Sequence, residues 1–224
     1  MPAGAAETVA IFDLDGTITR HDTYLAFLLF VLARRPHRLA HCIAQSVTVL
    51  RFALGRASND DLKRCLLRAV AGGLDRPSLD TLADRFAEQC CARMVKPAAR
   101  QRIAWHRSQG HRLILATASL DLTAERIGQR LGFDATLATR AAWHDGRITG
   151  ELASANLRGD HKLAAIQALY TACPMPHVFA YSDHHSDLPL LRFADHPTAV
   201  DPTRRLADSA QASGMAIEHW GRTP

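Results

Sequence analysis

The sequence predicts an α/β fold: a mainly parallel sheet covered by helices, with a helical segment inserted after the first strand. Three observations predict it. A short apolar run, Val9-Ala10-Ile11-Phe12, ends abruptly in two carboxylates, Asp13 and Asp15. From Thr23 to about Met94 the apolar periodicity is helical throughout. Beyond Pro97, short apolar runs alternate with helical patterns, the signature of strands joined by helical crossovers.

The first strand is Val9 to Phe12. If it continued, Asp13 and Asp15 would point to one face, because strand side chains alternate. Gly16 then frees the backbone to turn. Paired carboxylates at the mouth of a buried strand are costly unless a cation compensates. A divalent metal and a transferring phosphate are the obvious compensators. Alone, Asp-x-Asp-Gly-Thr also fits a solvated turn or part of a calcium loop. A calcium loop of the EF type needs a third acidic position and a Glu at its twelfth, and a helix before it.

Within the inserted segment, two strongly apolar helices between Thr23 and Gly55 break near Pro36. Leu62, Cys65, Leu66, Ala69 and Val70 share a helical face, with Ser58 as N-cap and Gly72-Gly73 as stop. Leu79, Leu82, Phe86 and Cys90 repeat the pattern after Pro77. Pro97 opens a helix to about Ser108. Leu113 to Ala116 reads as a buried parallel strand, followed by Thr117-Ala118-Ser119 and a helix carrying Leu122, Ile127 and Leu131. Ala141 to Leu152, with Asp145-Gly146 at its middle, reads as a small hairpin. A helix over Asp160 to Leu169 precedes a strand over Val178 to Tyr181. Ala199-Val200 is a short strand before the last helix and the Met215-Ala216-Ile217 run.

Composition sets the bounds. At 224 residues the chain is one large domain or a core with an insertion, and 47% hydrophobic content is ample for a core. A net charge of +5 favours anionic ligands in general. Without a basic block longer than a pair or an aromatic-interleaved basic stripe, nucleic acid is not the expected partner. The five cysteines have no metal spacing and read as reduced core thiols of a cytoplasmic protein. Met1 to Glu7 shows no secretory pattern. The longest apolar run, Tyr24 to Ala33, is too short to span a membrane and ends at Arg34-Arg35-Pro36.

In parallel sheets, ligands bind beyond the carboxyl ends of the strands. Asp13, Thr117 and Asp183 each follow an apolar run and converge on one crevice. Lys162 near a helix start and Asp187 complete a set suited to phosphoryl transfer: a nucleophile, oxygen ligands for a metal, and cationic and hydroxyl donors. Each member has an ordinary reading too. Thr117 fits a strand end, Lys162 a helix surface, and Asp187 a cap for the helix around Leu188-Pro189-Leu190. His184-His185 fits a zinc site less well than a pair of exposed or cap-facing histidines.

Together, Asp13-x-Asp15-Gly-Thr, Thr117, Lys162 and the Asp183/Asp187 pair resemble the four ordered motifs of the haloacid dehalogenase (HAD) superfamily. The subgroup is IB, which includes the phosphoserine phosphatases. The resemblance implies a HAD-like Rossmannoid core over 1–20 and 96–224 with a helical cap over 21–95. It implies a Mg2+-dependent phosphomonoester hydrolase. Asp13 is then the nucleophile that forms an aspartyl-phosphate, and Asp15 the general acid and base. Thr117 binds phosphate and Lys162 neutralises it. Asp13, the Asp15 carbonyl, Asp183 and Asp187 serve the metal, and Ser119 adds a donor. Phosphoserine phosphatases carry Asp-Ser-Thr and a Glu nine residues after the nucleophile. Here Gly16-Thr17 and Asp22 stand instead, so Asp22 is the expected substrate-binding residue for an amine or hydroxyl.

A second similarity points elsewhere. Asn156-Leu157-Arg158-Gly159-Asp160-His161-Lys162 and Tyr181-Ser182-Asp183 are similar to phosphatidylglycerophosphate phosphatases of the superfamily. Leu25 to Leu32, then Arg34-Arg35-Pro36-His37-Arg38, then Ile43, Val47, Val49, Leu50, Phe52 and Leu54 form an apolar pair of helices flanked by arginines. Such a pair docks on the inner face of a membrane and admits a lipid phosphate, or packs on itself or a second subunit. The substrate expected is thus a small-molecule or lipid phosphomonoester. A carbon–halogen hydrolase does not need the metal set, and a non-enzymatic scaffold does not need the complete one. A phosphotransferase shares the same intermediate.

Overall fold

A computed structural model describes residues 7–44, 58–171 and 175–221. Among them, six parallel strands form the central sheet: β1 (Thr8–Phe12), β2 (Arg112–Leu120), β3 (Ala135–Thr139), β6 (His177–Ser182), β7 (His196–Val200) and β8 (Ala216–Glu218). Their order is β3-β2-β1-β6-β7-β8. The chain therefore builds outward from β1 in both directions, and the switch point of the sheet lies at the carboxyl end of β1. Phe12 pairs with Leu115 on one side and Tyr181 on the other. That register brings Asp13 level with Ala116 of β2 and with Ser182, the end of β6.

Alternation along the strands divides the core in two. Ala10, Phe12, Leu113, Leu115 and Tyr181 face one side, and Val9, Ile11, Ile114, Ala116, Val178 and Ala180 the other. Phe12 is fully buried and stacks on Tyr181 at 4.5 Å and 15°. Truncating a buried aromatic of this kind costs about 3–5 kcal/mol.

Among the described residues, the helices of the insertion are α1 (Thr23–Arg34), α2 (Leu39–Ala44), α3 (Asn59–Ala71) and α4 (Arg76–Arg93), with a 3-10 turn at Pro36–Arg38. α1 stops because Pro36 cannot continue it. Ser58 caps α3 through a reciprocal capping box with Asp61, and Asp75 caps α4 by accepting from Ser78 N. The insertion leaves and returns through paired backbone: Arg20 N donates to Met94 O, and Lys96 N to Ile18 O. Its core is continuous with that of the sheet, since Phe27, Val31 and Phe86 belong to the same apolar cluster as Phe12. The remaining helices are α5 (Pro97–Ser108), α6 (Asp121–Leu131), α7 (Asp160–Ala168), α8 (Leu188–Phe193) and α9 (Arg204–Ser213). β4 (Ala141–His144) and β5 (Arg147–Leu152) form the expected hairpin, turning at Asp145-Gly146 with both residues at positive φ.

The structure departs from the expected pattern at β2 and adds what the pattern does not carry at β3 and α3. β2 does not end at Ala116 but runs to Leu120, with its register shifting between Thr117 and Leu120. Thr117 is therefore the last regularly paired residue of the strand. β3 has no strong apolar run because it is a half-buried edge strand, and its pattern Ala-Thr-Leu-Ala-Thr gives no period-2 contrast. On α3, Leu62 and Leu66 are not core: they line the cleft, while Lys63, Leu67 and Val70 are buried. The second apolar helix expected of the insertion falls largely on 45–57, outside the described residues, as do the side chains of Cys42 and Ile43. Cys65 and Cys90 are buried thiols and Cys91 is a half-buried one, none of them in a disulfide. Among the described residues no helix is long and apolar enough to cross a membrane.

Candidate active site

A cleft of about 480 Å3 opens over the carboxyl ends of β1, β2 and β6, walled on the far side by α1 and α3. It gathers Asp13, Asp15, Thr117, Ser119, Lys162, Asp183, Asp187 and Asp22, the whole set of residues expected from the sequence. Residues as far apart as 13 and 187 meet there because three parallel strands end side by side.

Asp13 follows β1 directly, and its backbone N–H donates to Tyr181 O at 3.0 Å, one more rung of the β1–β6 ladder. Its side chain is buried. Lys162 Nζ donates to Asp13 Oδ1 at 2.7 Å and to Asp187 Oδ2 at 2.5 Å. Ser182 Oγ donates to the same Asp187 oxygen at 2.8 Å. Asp187 stands at the amino end of α8, but no backbone group of α8 is capped by it. Its carboxylate instead holds the lysine. Lys162 is almost wholly buried, and its ammonium persists only because two carboxylates flank it. Burial disfavours its charged form, yet Asp13 and Asp187 together raise its pKa above the usual lysine range.

Burial dominates at Asp13, Asp15 and Asp183 and raises these three. Asp13 is pushed up to about 8, with Lys162 opposing and Asp187, Asp183 and Asp15 adding to the rise. Asp183 is pushed up to about 6, chiefly by burial. Asp15 is raised by burial and then by Asp22, against hydrogen bonds from Ser119 and Thr23. Ser119 Oγ donates to Asp15 Oδ2 at 2.6 Å, and Thr23 N to Oδ1 at 2.6 Å. Both side-chain oxygens of Asp15 are thereby positioned. A carboxyl whose neutral form is favoured by burial is suited to donate a proton.

Thr17 was passed over as a motif residue without a role. Its hydroxyl lies 3.3 Å from Asp183 Oδ1 and 3.5 Å from Asp13 Oδ2, so it spans the two carboxylates. Gly16, at φ +79°, presses against the Asp183 carboxylate where no Cβ would fit. Lys96 Nζ bonds to Gly16 O and to Asp201 Oδ2, pinning the turn. Among the described residues no three side chains of His, Cys, Asp or Glu form a ready metal cluster. Two carboxylates, Asp13 and Asp183, nonetheless converge on the Thr17 hydroxyl. Hard oxygen donors of this kind, completed by a backbone carbonyl and waters, fit a magnesium ion.

The wall of the cleft facing the strands was not legible. Lys63 Nζ is buried and donates to Ala118 O at 2.7 Å and to Asn156 Oδ1 at 3.0 Å. Asn156 Nδ2 returns to Asp60 Oδ1 at 2.7 Å, tying α3 to the loop after β5. Burial lowers the Lys63 pKa. The available signal was a lysine at a core position of α3, in register with Leu67 and Val70. His184 is half-buried, lines the cleft and takes Arg158 Nη2 at 3.2 Å on Nδ1. Asp22 lines the cleft, but one of its oxygens caps α1 by accepting from Leu25 N at 2.7 Å.

Comparison with known proteins agrees with this geometry. The family model of haloacid dehalogenase-like hydrolases matches residues 10–192. A probable phosphatase of Mycobacterium tuberculosis is 30% identical, covering 98% of this chain and 78% of its own length. Phosphoserine phosphatase SerB1 of Mycobacterium tuberculosis is 26% identical, over 94% of this chain and 70% of its own. Among solved structures, a Bordetella pertussis protein of unknown function superposes with a TM-score of 0.83 at 21% identity, covering 96% and 99% of the two chains. A phosphoserine phosphatase holding an analogue of its phospho-aspartyl intermediate superposes with a TM-score of 0.65 at 16% identity, over 97% and 95%. The chain belongs to the haloacid dehalogenase-like hydrolase family and is an enzyme of its phosphatase type.

Proposed function

We propose that the protein is a Mg2+-dependent phosphomonoesterase that works through an aspartyl-phosphate, on a small organic phosphate of the phosphoserine type. The observation that carries this reading is Lys162 clasped between Asp13 and Asp187, with Asp15 held separately by Ser119 and Thr23. The clasp engages Asp13 Oδ1 and leaves Oδ2 turned toward Thr17 and the cleft.

In this reading Asp13 Oδ2 attacks phosphorus. The bond to the ester oxygen breaks, and that oxygen takes the proton of Asp15. Asp15, now anionic, removes a proton from water, which attacks phosphorus and releases inorganic phosphate, restoring Asp13. Thr117 and Lys162 receive the charge spread over the phosphoryl oxygens. Asp13, the Asp15 carbonyl and Asp183 would hold the magnesium ion, which when bound offsets the charge of the phosphate. Asp187 serves it indirectly, by fixing Lys162. Asp22 and Lys63, of opposite charge on one wall, suit a leaving group that bears both an amine and a carboxylate.

A specific observation favours a second reading. Leu25 lines the cleft yet is 48% exposed, and Leu29 one turn on is 57% exposed. Leu62 and Leu66 line the cleft beside Leu25, and the helix that carries Leu25 and Leu29 ends at Arg34. A phosphomonoester with an acyl chain would leave along these leucines toward a membrane surface. The test of both is magnesium-dependent phosphate release from soluble phosphomonoesters, phosphoserine included, and from phosphatidylglycerophosphate in mixed micelles. Preference for a soluble ester supports the first reading, and preference for the lipid the second. Asp13→Asn must abolish release in either case.

A further inference from the structure

At the opposite, amino-terminal edge of the sheet, His177 begins β6 and His196 begins β7. Their Nε2 atoms face each other at 2.8 Å. His177 Nδ1 lies 3.1 Å from Asp195 Oδ2, which also accepts from Val178 N at 2.7 Å. The carboxylate is thus anchored to the backbone and keeps the ring proton on Nδ1, so that His177 Nε2 presents its lone pair outward. A carboxylate behind an imidazole is the arrangement that orients histidine ligands in metal sites. His196 is held as well: its ring stacks on Phe179 at 4.3 Å and 22°. Both histidines are exposed.

The two ring nitrogens are close enough for one ion to reach both. Two nitrogens each about 2.05 Å from one metal lie about 2.9 Å apart at a right angle, and about 3.3 Å apart at a tetrahedral one. The observed 2.8 Å is a hydrogen-bond length, and it is also close to the right-angle value, so one ion could take both nitrogens with little movement of the rings. A straight N–H···N hydrogen bond of that length would place the ring centres about 5.1 Å apart. They are 4.7 Å apart with the planes at 85°, so the nitrogens are bent out of line.

The geometry points to a bis-imidazole site, His177 and His196 with Asp195 behind, for a divalent transition ion that takes cis nitrogens in a square or tetragonal field, copper(II) or nickel(II). Water completes the coordination. Without the ion, His196 Nε2–H donates to His177 Nε2. On binding, that proton moves to His196 Nδ1 and the ion takes both lone pairs, with no net proton released. The occupant ties the amino ends of β6 and β7 and lies at the far end of both strands from the cleft, so it is separate from the magnesium-type oxygen site.

Copper(II) is the probe. It is titrated into the full chain in excess magnesium, with affinity read by calorimetry and the ligand field by electron paramagnetic resonance. The expected result is one ion per chain with a two-nitrogen tetragonal spectrum. His177→Gln and His196→Gln each weaken binding at least about tenfold, and Asp195→Asn about tenfold or more. His184→Gln, on the cleft side, leaves this spectrum unchanged. Circular dichroism and thermal melts of the metal-free variants separate loss of the site from loss of the fold. Absence of stoichiometric binding, or binding that survives in the folded His177→Gln/His196→Gln double variant, overturns the assignment.

Discussion

Lys162 Nζ lies 2.7 Å from Asp13 Oδ1, although 149 residues separate them in the chain. The pair is buried, and Asp187 completes it. Removing the lysine leaves two carboxylates without their cation, a change that costs about 3–5 kcal/mol in buried pairs. Lys162→Met is expected to lower kcat by about 10²–10³, the loss seen when one charge-stabilising donor is removed from an active site. Melting temperature and kcat are measured on the same sample. Unchanged turnover in a folded Lys162→Met protein would remove Lys162 from the mechanism.

Gly16 tests the cation side. Its φ of +79° disfavours any other residue, and an added Cβ would strike the Asp183 carboxylate. The backbone cost alone is about 1–2 kcal/mol. Gly16→Ala is expected to fold and to bind magnesium at least about tenfold more weakly, because Asp183 must move. Calorimetric titration checks it, and wild-type affinity in the variant would contradict the placement of the cation beside Asp183.

Magnesium binding should depend on pH in a defined direction. Asp13 is raised to about 8 and Asp183 to about 6 by burial, so protons compete with the cation below those values. Affinity is expected to rise with pH across the range from about 6 to about 8, and binding at pH 7 to release protons. Calorimetry in two buffers of different ionisation enthalpy reads the release directly. Zero release at pH 7 would show that both carboxylates are already ionised.

His106 predicts a second pH effect, on stability. It is fully buried, and burial, then His111 and Arg102, lower it from 6.5 to about 4. Above pH 6.5 neither folded nor unfolded chain protonates it. Between 6.5 and about 4 the unfolded chain takes up a proton that the folded chain refuses, so stability falls as pH falls. The loss is on the order of 2–3 kcal/mol across that window. Urea denaturation at pH 7 and pH 4.5 is expected to show a smaller difference in His106→Gln than in the wild type.

Lys63 bears on substrate choice. Its ammonium sits on the cleft wall opposite Asp13, bonded to Ala118 O and Asn156 Oδ1. Lys63→Met is expected to raise KM for phosphoserine about tenfold or more. KM for a phosphomonoester with an uncharged leaving group should change little. Equal changes for both would make Lys63 a clasp between α3 and the strands and nothing more.

Much of this protein was legible because its signals are local. Apolar runs that stop at Asp13 and Asp183 mark strand ends, since a buried strand cannot carry unpaired carboxylates. Ser58 with Asp61 marks a helix start, and Pro36 a helix stop. The edge strand β3 was not legible, because its half-buried residues carry no alternation. Nor was the role of Thr17 or Ser182: a hydroxyl has no preferred partner until two carboxylates are brought within reach of it.

The sequence by itself determined the alternation of strands and helices, the inserted helical segment and the identity of the cleft residues from Asp13 to Asp187. These follow from periodicity and from charge set against apolar surroundings, which any folded form must respect. Only the tertiary structure decided how they are used. The β2-β1-β6 order places Lys162 between two carboxylates and turns Lys63 inward. The β6–β7 pairing brings His177 and His196 face to face at the far edge. Those pairings depend on distances across strands and helices, and such distances exist only once the sheet has set its register.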